Sequence, residues 1–274
     1  MTAKSASGSF LSAAGNRIEW RRDEPPAGTP ARAGLFWLSG FKSDMSGTKV
    51  QALSAHAVAE GRACVRFDYS GHGISGGALI DGTISLWLDE AAQAFEGLTN
   101  GPQVVLGSSM GGWIALLLLR RLLQKGVDRI RGLVLLAPAV DMTDRLMWRD
   151  FDSAQRRTIE ATGRLELPSL YSPEPYVITR ALIEDGARHL MLNAPVAVPC
   201  AVRILQGDQD PDVPEAHARL LFDRLDGPDT ALTIVKGGDH RLSRADDLRL
   251  LLETTEALAR RIDQAEARSN GSSA

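Results

Sequence analysis

Short unbroken apolar runs recur along this chain, separated by longer stretches whose apolar residues fall at helical spacing. The runs are Leu35–Leu38, Ala63–Phe67, Val104–Leu106, Leu133–Leu136, Val202–Leu205 and Leu232–Val235. Unbroken runs, as opposed to alternating ones, are the pattern of strands covered by helices on both faces. The helical stretches are Thr48–Glu60, Ser85–Leu98, Gly112–Lys125, Pro214–Leu225 and Ser243–Ile262. Local signals agree: Pro214 suits a first helical turn, Gly227-Pro228 ends that helix, and Ser243 with Asp246 reads as a capping box. Repeated strand–helix alternation predicts a doubly wound α/β sheet. At the amino-terminal end, Phe10–Arg22 with a Gly15-Asn16 turn predicts an antiparallel hairpin at the sheet edge.

One interval breaks the rhythm. From about residue 141 to 198 the chain carries Met142, Leu146, Met147, Trp148 and Phe151, then Pro168, Tyr171, Pro173, Pro175 and Tyr176, then a helical pattern over Val177–Leu192. It is read as a lid inserted over the carboxyl ends of the strands, where open α/β sheets bind ligands. The expected organisation is one domain over residues 1–266 and a disordered Ser/Gly-rich tail over 267–274.

Composition narrows the classes. At 274 residues the chain can bury one large core. A net charge of -3 gives no reason to expect nucleic acid or an anionic membrane as a partner. The longest apolar run, Trp113–Leu119, is far shorter than the ~20 residues a spanning helix needs. Residues 1–9 lack the apolar stretch of a secretory signal, and a cytoplasmic protein is expected. Two distant cysteines, Cys64 and Cys200, imply neither a disulfide framework nor a metal site. The oligomeric state is left open.

Candidate chemistry centres on Gly107-Ser108-Ser109-Met110-Gly111, a G-x-S-x-G run. On a sharp strand-to-helix turn that pattern exposes a serine hydroxyl as a nucleophile. Gly73-Ile74-Ser75-Gly76-Gly77 matches too, but has neither a strand before it nor a helix after it. A serine hydroxyl needs a base, normally a histidine oriented by a carboxylate, and on this architecture the order is Ser, acid, His. His56 and His72 precede Ser109. His217 lies within a helix pattern and His189 within the insertion. His240 follows the last strand on Lys236-Gly237-Gly238-Asp239 and is the expected base. The acid loop, Gly207-Asp208-Gln209-Asp210-Pro211-Asp212-Val213-Pro214, offers three aspartates, and the spacing G-x-x-D-x-x-V-P selects Asp210. The backbone N–H groups of Met110 and Phe41 are the expected oxyanion donors. Met142, Met147, Trp148 and Phe151 are the expected contacts for a fatty or aromatic acyl group.

The run Phe67-Asp68-Tyr69-Ser70-Gly71-His72-Gly73-Ile74-Ser75 is similar to a loop common in α/β hydrolases. Together with Gly107–Trp113 and Asp44-Met45-Ser46-Gly47-Thr48-Lys49, it resembles the mitochondrial palmitoyl-protein thioesterase and acyl-glucuronide esterase family and its bacterial relatives. The resemblance implies the α/β-hydrolase fold and a triad of Ser109, Asp210 and His240. It also implies hydrolysis of an acyl ester or thioester, small or protein-bound, without a cofactor. The chain departs from it at Ser39-Gly40, where His-Gly is usual, and in its Asp-rich acid loop. Two other uses of the pocket stay open. One is C–C or peptide hydrolysis, with Glu166 or Glu174 holding a substrate amine; the other is binding without catalysis.

Overall fold

A computed structural model describes residues 4–168 and 175–271. Tyr171, Pro173 and Glu174 of the insertion, and residues 272–274 of the expected tail, lie outside the described residues.

The hairpin pairs β1 (Lys4–Leu11) with β2 (Arg17–Glu24), and Leu11 faces Arg17 across the turn. The body then alternates β3 (Gly34–Leu38), α1 (Thr48–Ala59), β4 (Cys64–Phe67), α2 (Ile84–Leu98), β5 (Gln103–Ser108), α3 (Met110–Gln124) and β6 (Ile130–Leu136). The inserted segment holds a π-helical turn at Thr143–Trp148, α4 (Ser153–Thr162), β7 (Arg164–Leu167), β8 (Tyr176–Thr179) and α5 (Arg180–Gly186). A two-residue strand, β9 (Val196–Ala197), leads to β10 (Ala201–Gly207) and α6 (Glu215–Arg224). The chain closes with β11 (Leu225–Asp226), paired to β9, then β12 (Thr230–Val235) and α7 (Ala245–Gly271).

Eight strands form one sheet in the order β1-β2-β4-β3-β5-β6-β10-β12, with antiparallel pairing only at β1, β2 and β4. The doubly wound α/β architecture is the expected one. Successive strand residues explain the unbroken apolar runs. Phe36, Leu38, Val105, Leu133 and Leu135 face one core with α2 and α3. Leu35, Trp37, Val104, Leu106, Val134 and Leu136 face another with α1 and α7. Each such side chain taken from water contributes roughly 1.5–3 kcal/mol. A charged substitution on either face would therefore be buried without a partner.

Three expectations differ from the structure. The helix expected over Val177–Leu192 begins as a strand: β-branched Val177, Ile178 and Thr179 pair with β7, and the short α5 starts only at Arg180. The cap of α7 shifts by one residue, since the Asp247 carboxylate, not Asp246, accepts the Arg244 backbone N–H at 3.0 Å. Residues 267–271, expected to be disordered, continue α7, where Ala265, Ala267 and Arg268 favour helix. Buried Arg62, two residues before β4, ties that helix to the sheet through Glu256 at 2.9 Å and Asp263 at 2.8 Å. Among the described residues no helix is long and apolar enough to cross a membrane.

Candidate active site

Ser109 sits between β5 and α3 with φ 55° and ψ −119°, a backbone geometry costing roughly 1–3 kcal/mol in a non-glycine residue. The turn is over-determined. The Ser109 N–H donates to Leu136 O at 2.8 Å, and its carbonyl accepts from Gly112 and Ala139. The flanking glycines are sterically required: a Cβ at Gly107 would lie 2.3 Å from Gly111 O, and one at Gly111 would lie 2.1 Å from Leu38 O. These collisions are the physical content of the G-x-S-x-G spacing. The second match is structural, because Ser75 Oγ donates to Asp68 O at 2.6 Å and accepts from Glu19 N at 2.9 Å.

His240 lies on the loop after β12. Its Nε2 is 3.0 Å from Ser109 Oγ and its Nδ1 is 2.8 Å from Asp210 Oδ2. The Asp210 carboxylate is fully buried, whereas the imidazole keeps 17% of its surface exposed. Burial raises the Asp210 pKa, but hydrogen bonds from His240, the Val213 amide and Gln206 outweigh it and leave the carboxyl below its ordinary value. Asp210 Oδ1 accepts the Asp212 and Val213 amides at 2.9 Å. That turn explains why the acid stands three residues before Val213.

Two neighbouring aspartates hold backbone instead. Asp208 accepts Gly237 N at 2.6 Å, and Asp239 accepts Leu242 N at 2.9 Å. Ligand atoms of Asp210, Asp212 and His240 lie within 4.8 Å of one another, close enough to share a metal ion. A metal there would have to break the bond that already joins His240 to Asp210.

Three of the other four histidines pack or bond away from the site. His189 Nε2 meets Ser85 Oγ at 2.7 Å, joining the start of α2 to the insertion. His217 is buried, and desolvation pushes its pKa down to about 4. His72 packs its ring edge-on against Trp87 and Phe41.

Ser109 opens into a cavity of about 590 Å³. Phe41, Met142, Met147, Phe151, Leu167 and Ile178 form its apolar wall, and Lys42, Lys49 and Arg241 stand among its polar lining. Met142, Met147 and Phe151 are therefore where expected. Trp148 is not: its ring packs edge-on to Phe151 and under the Arg156 guanidinium, away from the cavity. The cause is the π-helical turn, with Arg149 N bonded to Asp144 O, which changes the side-chain phase. Leu146, Leu167, Ile178 and Tyr176 complete the wall unforeseen, although their apolar character on an inserted segment was a usable signal. Glu166 is exposed on β7 and does not line the cavity, and Glu174 lies outside the described residues.

Gly40 presses its backbone on the serine turn, and a Cβ there would lie 3.1 Å from Ser108 O. Phe41, the next residue, lines the cavity. Met110 begins α3, so its N–H has no acceptor inside the helix. Ser39, in place of the usual histidine, accepts the buried Trp37 indole N–H at 3.1 Å.

A doubly wound sheet with a serine on the β5–α3 turn defines a hydrolase class, and the chain belongs to the alpha/beta hydrolase family, which it matches over residues 27–253. Among its relatives, the mitochondrial palmitoyl-protein thioesterase ABHD10 of Mus musculus is 32% identical over 228 residues, 82% of this chain and 74% of that protein. The Homo sapiens protein is 31% identical over the same length, covering 72% of it. A crystal structure of a hydrolase from Agrobacterium vitis S4 superposes with a TM-score of 0.88 at 38% identity, covering 94% of this chain and all of that one. The mouse ABHD10 structure superposes at 0.82 with 28% identity, covering 94% and 99%. The protein is a hydrolase, with relatives that support ester hydrolysis. The expectation of a cytoplasmic protein is overturned, because these curated relatives are mitochondrial.

Proposed function

We propose that the protein cleaves carboxylic esters or acyl thioesters through Ser109, His240 and Asp210 and a covalent acyl-enzyme. The observation that carries this is the hydrogen-bonded series Ser109–His240–Asp210, at 3.0 and 2.8 Å, at the edge of an apolar cavity. Ser109 Oγ attacks the acyl carbon while His240 Nε2 takes its proton. The Phe41 and Met110 amides hold the oxyanion, each contributing about 3 kcal/mol to the transition state. The imidazolium then protonates the departing alcohol or thiol, and the same nitrogen activates the water that releases the acid. Asp210 orients the ring through Nδ1 and stabilises its charged form. The insertion acts as a lid whose apolar wall receives the acyl chain.

Stopped-flow mixing with p-nitrophenyl butyrate tests the reading. Wild type should release a nitrophenol burst matching the enzyme concentration, and Ser109→Ala should lose both burst and turnover, at least a thousandfold. Turnover by the alanine variant at the wild-type rate would refute the proposal.

A further inference from the structure

The Gly47-Thr48-Lys49 segment belongs to the motif shared with the thioesterase-like family, yet nothing in the proposed chemistry uses it. The structure puts Lys49 in the first turn of α1, half-buried on the cavity wall. Its Nζ donates to the backbone carbonyl of Arg241, the residue directly after His240, across 192 positions of sequence.

The loop that carries His240 needs restraint. Leu242, a γ-branched residue with no glycine's freedom, sits at φ 45° with its side chain in the core. Below His240 the loop is fixed by Gln209 N to Gly238 O at 2.9 Å and by Arg244 to Gly237 O at 2.7 Å. Above it, Asp239 caps Leu242, and Ser243 Oγ reaches Arg241 O at 3.0 Å. Those bonds come from the β10 end, the loop itself and α7. Lys49 alone among these donors reaches the loop from α1.

We infer that Lys49 is a positioning residue: by binding the Arg241 carbonyl it holds the His240 imidazole in register with Ser109. The inference rests on the triad reading above. A charge-assisted bond to a carbonyl is worth roughly tenfold in an equilibrium, so the expected effect of losing it is of that order.

The charged groups facing the amine are Asp239 and Arg241 on the loop and Asp247 on α7. Burial pushes its pKa down to about 8, with Asp239 opposing. Below that pH the ammonium makes the stronger bond; above it a neutral amine makes a weaker one.

The test uses the full chain with uncharged p-nitrophenyl butyrate, comparing wild type, Lys49→Met, Lys49→Arg and Ser109→Ala. Lys49→Met should lose about tenfold in kcat, keep KM within twofold and melt within about 2 °C of wild type. Lys49→Arg should recover most of kcat. Wild-type kcat should sag above about pH 8, and the arginine variant should not. Three results would overturn the inference: an unchanged kcat in Lys49→Met, a rise confined to KM, or a loss that follows the melting temperature and that arginine does not restore. The control separates the layers. If Ser109→Ala is dead while Lys49→Met is fully active, only this inference fails; an active Ser109→Ala sinks the triad reading instead.

Discussion

The two loops after β10 and β12 and the segment inserted between β6 and β10 face each other across one cavity, and they are held in opposite ways. The loops are fixed by backbone. Gly207 has no room for a Cβ, which would meet Gly238 O at 2.2 Å, and Asp208, Asp210 and Asp239 all accept main-chain amides. The insertion keeps a small core of its own, Phe151, Ile159, Leu165 and Ile178, which meets the body through Phe41 and Met147. Its wall is set by side-chain volume and by few polar bonds. On the proposed function the contrast separates two tasks: the proton relay needs fixed distances, while the wall needs only apolar volume.

That division gives its largest expected effect at the acid. Asp210→Asn keeps the shape and the Oδ1 turn but cannot stabilise an imidazolium, so kcat should fall about a thousand- to ten-thousandfold with the melting temperature little changed. Steady-state kinetics beside a thermal melt check this, and a drop below tenfold would mean the relay does not pass through that carboxylate. On the other wall, Met147→Trp fills the cavity. It should cut kcat/KM for long acyl esters about tenfold and leave butyrate within twofold, as read from a chain-length series. Equal losses at all lengths would show that the wall and the relay are coupled after all.

The smallest effect lies in the body, at His217. In the folded chain it stays neutral down to about pH 4, whereas in the unfolded chain it titrates near its ordinary 6.5. Between those values the unfolded state binds more protons, so stability falls as pH falls through that window, by at most about 3 kcal/mol. His217→Gln should flatten the melting curve against pH between 6.5 and 4 without altering turnover at pH 7.5. Buried His72 and half-buried His189, also lowered by desolvation, should keep the remaining slope.

The sheet was legible because burial on both faces writes itself as unbroken apolar runs, and the serine turn because steric collision leaves only glycine at 107 and 111. His240 was reachable through chain order, and Asp210 through a spacing that the Val213 amide now explains. The insertion was far less readable. An apolar segment on a π-helical turn has no fixed phase, so Trp148 and Met147 look equivalent in sequence yet point to different places. Val177-Ile178-Thr179 suits a helix by pattern, but pairing with β7 decides otherwise. Lys49 stood out only as part of the Asp44–Lys49 run, and nothing local said what it binds, because its partner is a carbonyl 192 residues away.

Asp141, fully buried at φ 57°, accepts the amides of Met191 and Leu192 at 2.8 and 2.9 Å. One carboxylate thereby stitches the place where the chain leaves the body to the place where it returns. Between those stitches the closure entropy of the detour grows only slowly, about 0.6 kcal/mol for each doubling of length. The length of that excursion is therefore a weak constraint on the fold, provided Asp141 keeps its two amides.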